Sequence, residues 1–373
     1  MQSYVIPIKY AIIIFPLIAF FFTIPYIIYL YRKYGSISPL RTIVVYSFIL
    51  YLIVAYFLVI LPLPERSEVA KYTTPIMQLI PFHFISDIIE KSSLVITDVN
   101  TFVPALKESY IYSALFNVIL LIPFGIYLRY YFKFSIGKTV LFSFMLSLFF
   151  ELTQLTGLYF IYPRPYRLFD VDDLITNTLG GSIGYLITPI FSFILPSREK
   201  LDLSSYKKGK NVSYLRRFIA FIIDFILINI ITSLIVSIIN IPYHITFIII
   251  LFINYLILIY LLKGQTIGKK IVKIKIVSQD DTKAKLYQYF LRYFFLFGLL
   301  YLPSLELYIL NYNIKILTYI TFVVIGIIFC ILFFQMLLKI LLGKKELFYE
   351  KISKTKNIST IEFDDEEQEE VDK

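Results

Sequence analysis

Ile43-Val-Val-Tyr-Ser-Phe-Ile-Leu-Tyr-Leu-Ile-Val-Ala-Tyr-Phe-Leu-Val-Ile-Leu-Pro-Leu63 contains no charged side chain. A hydrocarbon core about 30 Å thick is crossed by about 20 helical residues. Inside it only helices and closed barrels satisfy the backbone. The run is continuous rather than alternating, so it reads as a membrane-spanning helix. Similar runs recur at about 10–30, 111–128, 139–160, 174–194, 218–240, 245–262, 289–310 and 316–342. They predict an all-α integral membrane protein with about nine transmembrane helices in two bundles. The lipid bilayer is its expected partner.

Composition agrees. Of 373 residues 58% are hydrophobic and 17% charged, against about 25% charged in a soluble domain. Mean hydropathy is +0.76. The single cysteine, Cys330, excludes an internal disulfide framework, and two histidines argue against a Cys/His zinc site. No metal or cofactor is therefore expected. Tryptophan is absent, and 32 tyrosines are available for the interfacial belt. The apolar run from Val5 to Leu30 is too long for a cleavable signal peptide and reads as the first span.

The net charge of +10 does not point to nucleic acid, because the basic residues sit in short loops. Arg32, Lys33 and Arg41 follow the first span; Arg129, Lys133 and Lys138 follow the third. Further basic clusters follow the fifth span (Arg198 to Arg217) and the seventh (Lys263 to Lys285). All fall on one side of an odd-numbered set of spans. The positive-inside rule then puts the N-terminus outside and the C-terminus in the cytoplasm of a multi-pass cell-membrane protein.

Residues 196–216 form a basic polar linker between a first membrane domain (1–195) and a second (217–345). Residues 346–373 read as a charged tail, and the stretch from Lys351 to the acidic run at Asp364 is expected to be disordered and solvated. The outer segment Pro64 to Tyr110 contains an apolar stretch from Pro75, too short to span. It reads as an interfacial or re-entrant helix or a partly ordered loop.

Polar residues inside spans are costly and face a bundle interior. In the first domain Asn117, Glu151, Gln154, Asp173 and Asn177 lie toward one end of spans three to five, beside Arg167, Asp170 and Asp172. At about 1.5 Å per residue Glu151 lies roughly 14 Å below the outer surface. Asp173, Asn177, Gly180 and Gly184 share a helix face, polar at the outer end and small enough below it for close packing. Two readings stand. One is structural: interhelical hydrogen bonds, a helix cap, and Arg167 paired with an aspartate. The other is an outward-facing polar pocket for a ligand.

In the second domain Arg217, Ala220 and Asp224 share a face. The seven-residue step from Arg217 to Asp224 disfavours a direct pair, which makes Arg292 a candidate partner for Asp224. A structural ion pair competes with a cation or proton site. The Gly264-Gln-Thr-Ile-Gly-Lys-Lys loop lacks P-loop spacing. The alternation Lys273-Ile-Lys-Ile fits a short strand or an amphipathic stretch on the inner leaflet; seven basic residues in the loop favour the second.

Asn117-Val-Ile-Leu-Leu-Ile-Pro-Phe-Gly, Glu151-Leu-Thr-Gln and Phe169-Asp-Val-Asp-Asp-Leu-Ile-Thr-Asn-Thr-Leu-Gly-Gly-Ser-Ile-Gly-Tyr, with Leu79-Ile-Pro-Phe upstream, resemble the VanZ family over residues 10–195. By that resemblance Asn117, Glu151, Gln154, Asp170, Asp172, Asp173 and Asn177 are motif positions. Some VanZ-like proteins are associated with resistance to the glycopeptide teicoplanin. Arg217 with Asp224, the Gly264 loop and Leu291-Arg-Tyr resemble the RDD family over residues 212–345. That resemblance matches Arg217 to the family arginine and Asp224 to its first aspartate, with Asp280 or Asp281 as stand-ins for the second. Transport is proposed for some RDD proteins.

The expected function is non-enzymatic: binding of a lipid-linked envelope precursor or glycopeptide at the outer leaflet. The alternative is a transporter of ions or small molecules using Glu151 and Asp224, although no convincing inverted repeat supports it. A metal-assisted lipid enzyme is disfavoured by the lack of paired histidines.

Overall fold

The computed structural model describes residues 2–95, 97–192, 195–298, 315–342 and 346–362. Seven of its helices are long and apolar enough to cross a membrane. Only 11% to 33% of each crossing window is buried. Most of their apolar surface therefore faces outward, as lipid solvation requires. The chain is an all-helical multi-pass membrane protein. It divides into two compact units, one of Met1–Thr23 with Pro39–Leu201 and one of Ile24–Ser38 with Asp202–Lys373. The long helix α1 (Gln2–Tyr34) contributes to both.

In the first unit the crossing helices are α2 (Pro39–Ile60), α4 (Ser109–Tyr130), α5 (Ile136–Leu155) and α6 (Val171–Ser192). The segment between α2 and α4 holds a nine-residue helix, α3 (His83–Lys91), and a two-residue strand, β1 (Met77–Gln78). β1 pairs in parallel with β2 (Phe169–Asp170), Met77 facing Phe169 and Gln78 facing Asp170. The core gathers Ala55, Leu120, Leu121, Phe124, Leu128 and Phe150.

The closest helix pair is α4 with α6. A Cβ added at Gly180 would run into the Val118 carbonyl, and one at Gly184 into the Ile122 carbonyl. Both steps are four residues, so the two backbones meet in register with no side chain between them. At the far end Arg129 donates to the Tyr185 carbonyl (2.7 Å) and lies over the Tyr185 ring.

The second unit contains α7 (Arg198–Gly209, shared across the boundary), α8 (Tyr214–Ile239) and α9 (Tyr243–Leu261). α9 passes through a π-helical stretch at Ile253–Leu258. Then follow α10 (Ile267–Ile271), β3 (Ile274–Ser278), α11 (Leu286–Tyr293), α12 (Lys315–Leu341), α13 (Phe348–Ser353) and β4 (Thr355–Ser359). Ile228, Phe247, Tyr255, Ile259, Ile276 and Tyr289 are central to its core. At about 1.5 Å per residue α12 is also long enough to cross. The expected eighth span begins as α11 and continues π-helical to Gly298; its remainder lies outside the described residues.

Two expectations are corrected. The Lys273-Ile-Lys-Ile alternation is a strand, not an inner-leaflet surface stretch. β3 pairs antiparallel with β4, Ile274 opposite Ser359 and Ser278 opposite Thr355, and buries Ile274 and Ile276 completely. The chain after Lys351 is likewise not simply a solvated tail. Its first part supplies β4, because the otherwise exposed edge of β3 needs backbone partners. The acidic run from Asp364 lies outside the described residues.

Candidate functional site

The first unit's polar residues are fixed from three directions. At the C-terminal end of α2, Tyr166 donates to the Ile60 carbonyl (2.8 Å) and Arg167 to the Leu61 carbonyl (2.6 Å). These are acceptors that a helix end leaves without intrahelical partners. They hold the Arg167 guanidinium beside the ends of α4, α5 and α6. On α5, the Glu151 carboxylate accepts the Asp170 backbone N–H (2.9 Å), and Gln154 donates to the Val59 carbonyl (3.3 Å). Across the α4–α6 seam, Asn117 donates to the Asp173 carboxylate (2.5 Å). Ser147 donates to the Asp173 carbonyl (3.2 Å) and accepts from the Asn177 amide nitrogen (3.1 Å).

These groups surround a cavity of about 300 Å³. Its polar lining is Asn117, Glu151, Gln154, Arg167, Asp173 and Asn177, and apolar walls come from Leu58, Phe116, Leu120 and Phe150. Two carboxylates face one guanidinium there, and Arg167 acts electrostatically on both. Asn177 is 3% exposed and its side-chain carbonyl oxygen has no hydrogen-bond partner. A buried acceptor left so is costly, and a donor entering the cavity would satisfy it. Among the described residues no three His, Cys, Asp or Glu side chains converge as a metal-binding group.

Asp170 and Asp172 do something else. The Asp170 carboxylate accepts the Asp172 N–H (2.8 Å), which caps the first turn of α6. Burial pushes its carboxyl up, against the pull of that bond. The Asp172 carboxylate accepts the N–H groups of Phe82 (2.6 Å) and Phe84 (2.8 Å), at the start of α3. Phe82 is held at a φ of 64°, a left-handed conformation that bulky residues rarely adopt. Asp172→Ala should therefore release the start of α3 at a cost of about 2 kcal/mol. Hydrogen exchange at Phe82 and Phe84 should quicken, while the amides of α5 stay protected.

In the second unit a carboxylate from α13 organises the polar centre. Glu350, 2% exposed, accepts from Arg217 Nη1 on both carboxylate oxygens (3.1 and 3.0 Å), and from Arg292 Nη2 (3.0 Å), Asn357 Nδ2 (2.7 Å) and the Leu347 N–H (3.1 Å). Burial alone would raise its carboxyl, but the two guanidiniums outweigh it and hold the group below the usual range. Asp224, 1% exposed, takes the Thr266 hydroxyl (2.5 Å) and the Gly268 N–H (2.7 Å). Gly268 approaches α8 so closely that a Cβ would strike the Ala220 carbonyl. Arg216 is fully enclosed. It donates to the carbonyls of Val272 (2.7 Å), Lys273 (2.6 Å), Gly35 (3.1 Å) and Gly209 (3.1 Å).

Comparison with protein families matches the VanZ/LLP1 model to residues 48–192 and the RDD family model to residues 212–339. The chain joins a VanZ-type module to an RDD-type module. No curated protein and no solved structure matches it.

In the VanZ-type module six of the eight candidate residues line one cavity; Asp170 and Asp172 serve backbone turns beside it. In the RDD-type module the expected grouping of Arg217, Asp224 and Arg292 is corrected. The two arginines share Glu350, and Asp224 is satisfied by the Gly264–Gly268 loop. Asp281 does not complete the centre either; it pairs with Lys356 at the surface. Glu350 lies beyond the matched RDD residues and inside the stretch assigned to the tail. One signal pointed to it: Leu347-Phe-Tyr-Glu350 is too apolar for a solvated tail.

Proposed function

We propose that the VanZ-type module binds the polar head of an envelope molecule, a lipid-linked precursor or a glycopeptide, from the outer leaflet, and so alters susceptibility to glycopeptide antibiotics. The observation that carries this reading is the cavity with its unpartnered Asn177 acceptor, two carboxylates and one guanidinium. Its volume, about 300 Å³, is at the lower end of the range for small-molecule sites. A head group bearing hydroxyl, amide or ammonium donors fits this lining. The sidedness follows from the basic loops: if they are cytoplasmic, the N-terminal ends of α4 and α6 lie outside.

Complementation of a deletion strain tests this. Glu151→Gln and Asp173→Asn, expressed at the level of the parent protein, should leave teicoplanin susceptibility at that of the deletion strain. Ion flux in vesicles should not change. Full protection by both variants would refute the proposal. Flux lost together with protection would favour a transporter.

A further inference from the structure

The RDD-type module contains a second cavity, of about 370 Å³, independent of the reading above. Its lining includes three cations, Arg217, Lys269 and Arg292. The two arginines share the Glu350 carboxylate. Lys269 is not comparably served. It is 8% exposed, and its ammonium lies 5.5 Å from the centre of the Tyr255 ring and 5.6 Å from that of Tyr293. Asp224 attracts it, but both of that carboxylate's oxygens are already engaged by Thr266 and Gly268. No acceptor among the described residues takes a hydrogen bond from Lys269 Nζ. Two aromatic faces supply part of the lost hydration, yet an ammonium has three donors to satisfy. Burial pushes Lys269 down to about 8, so holding its charge at neutral pH is costly.

The rest of the cavity is apolar. Tyr214, Phe218, Phe221, Phe225 and Ile228 recur every three or four residues and form one stripe of α8. From Tyr214 to Ile228 the stripe runs roughly 20 Å along the helix. Leu251 and Phe297 contribute to the cavity wall. Lys269 belongs to α10, whose Gly268 packs on α8 at Ala220 and Asp224. The cavity thus sets a buried cation beside the aromatic stripe, which runs on from that level to Phe225 and Ile228.

We propose that this cavity binds an anionic amphiphile, its head at the Lys269 ammonium and its hydrocarbon chain along the aromatic stripe of α8. A small soluble anion would leave the stripe unused. A zwitterionic lipid would bring a further cation to a site that already holds three.

The test uses the full chain, purified and stripped of lipid in a neutral detergent. Phosphatidylglycerol or oleate, added well above saturation, should raise the Tm by several degrees. Phosphatidylcholine and inorganic phosphate should not. The stronger of the two anionic probes identifies the source, phospholipid or free fatty acid. Lys269→Met should lose the shift and Lys269→Arg should keep most of it. Native mass spectrometry of the parent protein, independent of any variant, should retain one anionic lipid in preference to phosphatidylcholine. Equal retention of both lipids, an equal shift with inorganic phosphate, or an unchanged shift in a folded Lys269→Met protein would overturn the proposal.

Discussion

Glu350→Ala is expected to destabilise the RDD-type module by about 3–5 kcal/mol, the usual cost of removing one partner from a buried ion pair. The reason is what remains. Arg292 is 3% exposed and Arg217 is largely covered. Without Glu350 both guanidiniums stay enclosed with no carboxylate between them. Asn357 and the Leu347 N–H lose their acceptor as well. α13 and β4 should then loosen, because the Glu350 ion pairs tie α13 to both α8 and α11, and the Gln288 bond to the Ser353 carbonyl and the Arg292–Tyr349 contact would remain toward α11. β3 would in turn hold its strand partner less firmly. Thermal unfolding of the purified protein measures the loss, and limited proteolysis near Phe348 locates it. Glu350→Gln should be milder, since an amide retains one acceptor for the arginines. Equal stability of Glu350→Ala and the parent protein would contradict this account.

The same carboxylate sets a pH dependence. Its folded pKa is held below the unfolded value of about 4.3. The folded state therefore binds its proton less readily than the unfolded chain. The stabilisation is complete above the unfolded value and is lost as pH falls through the folded one. Stability of the parent protein should decline below about pH 4. In Glu350→Gln that part of the decline should be absent.

The membrane architecture was legible because hydropathy is a property of whole segments. A run such as Ile43 to Leu63 has no soluble alternative. The cavity in the VanZ-type module was partly legible for a similar reason. Asn117, Glu151 and Asn177 are polar within apolar helices and have to face one another. The adjacent aspartates were harder to separate. Asp170, Asp172 and Asp173 sit within four residues, yet one caps α6, one holds α3 and one faces the cavity. The Asp172 carboxylate reaches backbone about 90 positions away and Asp173 a side chain 56 positions away, and spacing carries no record of either. β3 and β4 show the same limit. Alternating Lys and Ile fits an interfacial surface as well as a strand, and the partner that decides, Thr355 to Ser359, lies far along the chain. Asp224 was assigned an arginine because charge suggests opposite charge. Its ligands are a hydroxyl and a backbone N–H, and the second is invisible in any residue type.

Gly180→Leu should damage the VanZ-type module most severely. The α4–α6 seam admits no side chain at this point, since the first added carbon already meets the Val118 carbonyl. Backbone cannot step aside as the end of a flexible side chain can, so the helices must separate. Overpacking of this kind costs about 1–3 kcal/mol, and more where backbone is the obstacle. The separation would reach the cavity directly. Val118 follows Asn117, and Gly180 lies two turns beyond Asp173 on the same face. Moving α4 away from α6 should break the hydrogen bond from Asn117 to Asp173. Stability and glycopeptide protection should therefore fall together in Gly180→Leu, whereas Asp173→Asn should lose protection with a smaller change in Tm. Gly137→Ala is the control. No atom lies within 4 Å of its added carbon, and alanine favours a helix over glycine by up to about 1 kcal/mol. That variant should match or slightly exceed the parent in Tm. If Gly180→Leu did the same, the close approach of α4 and α6 could not be what shapes the cavity.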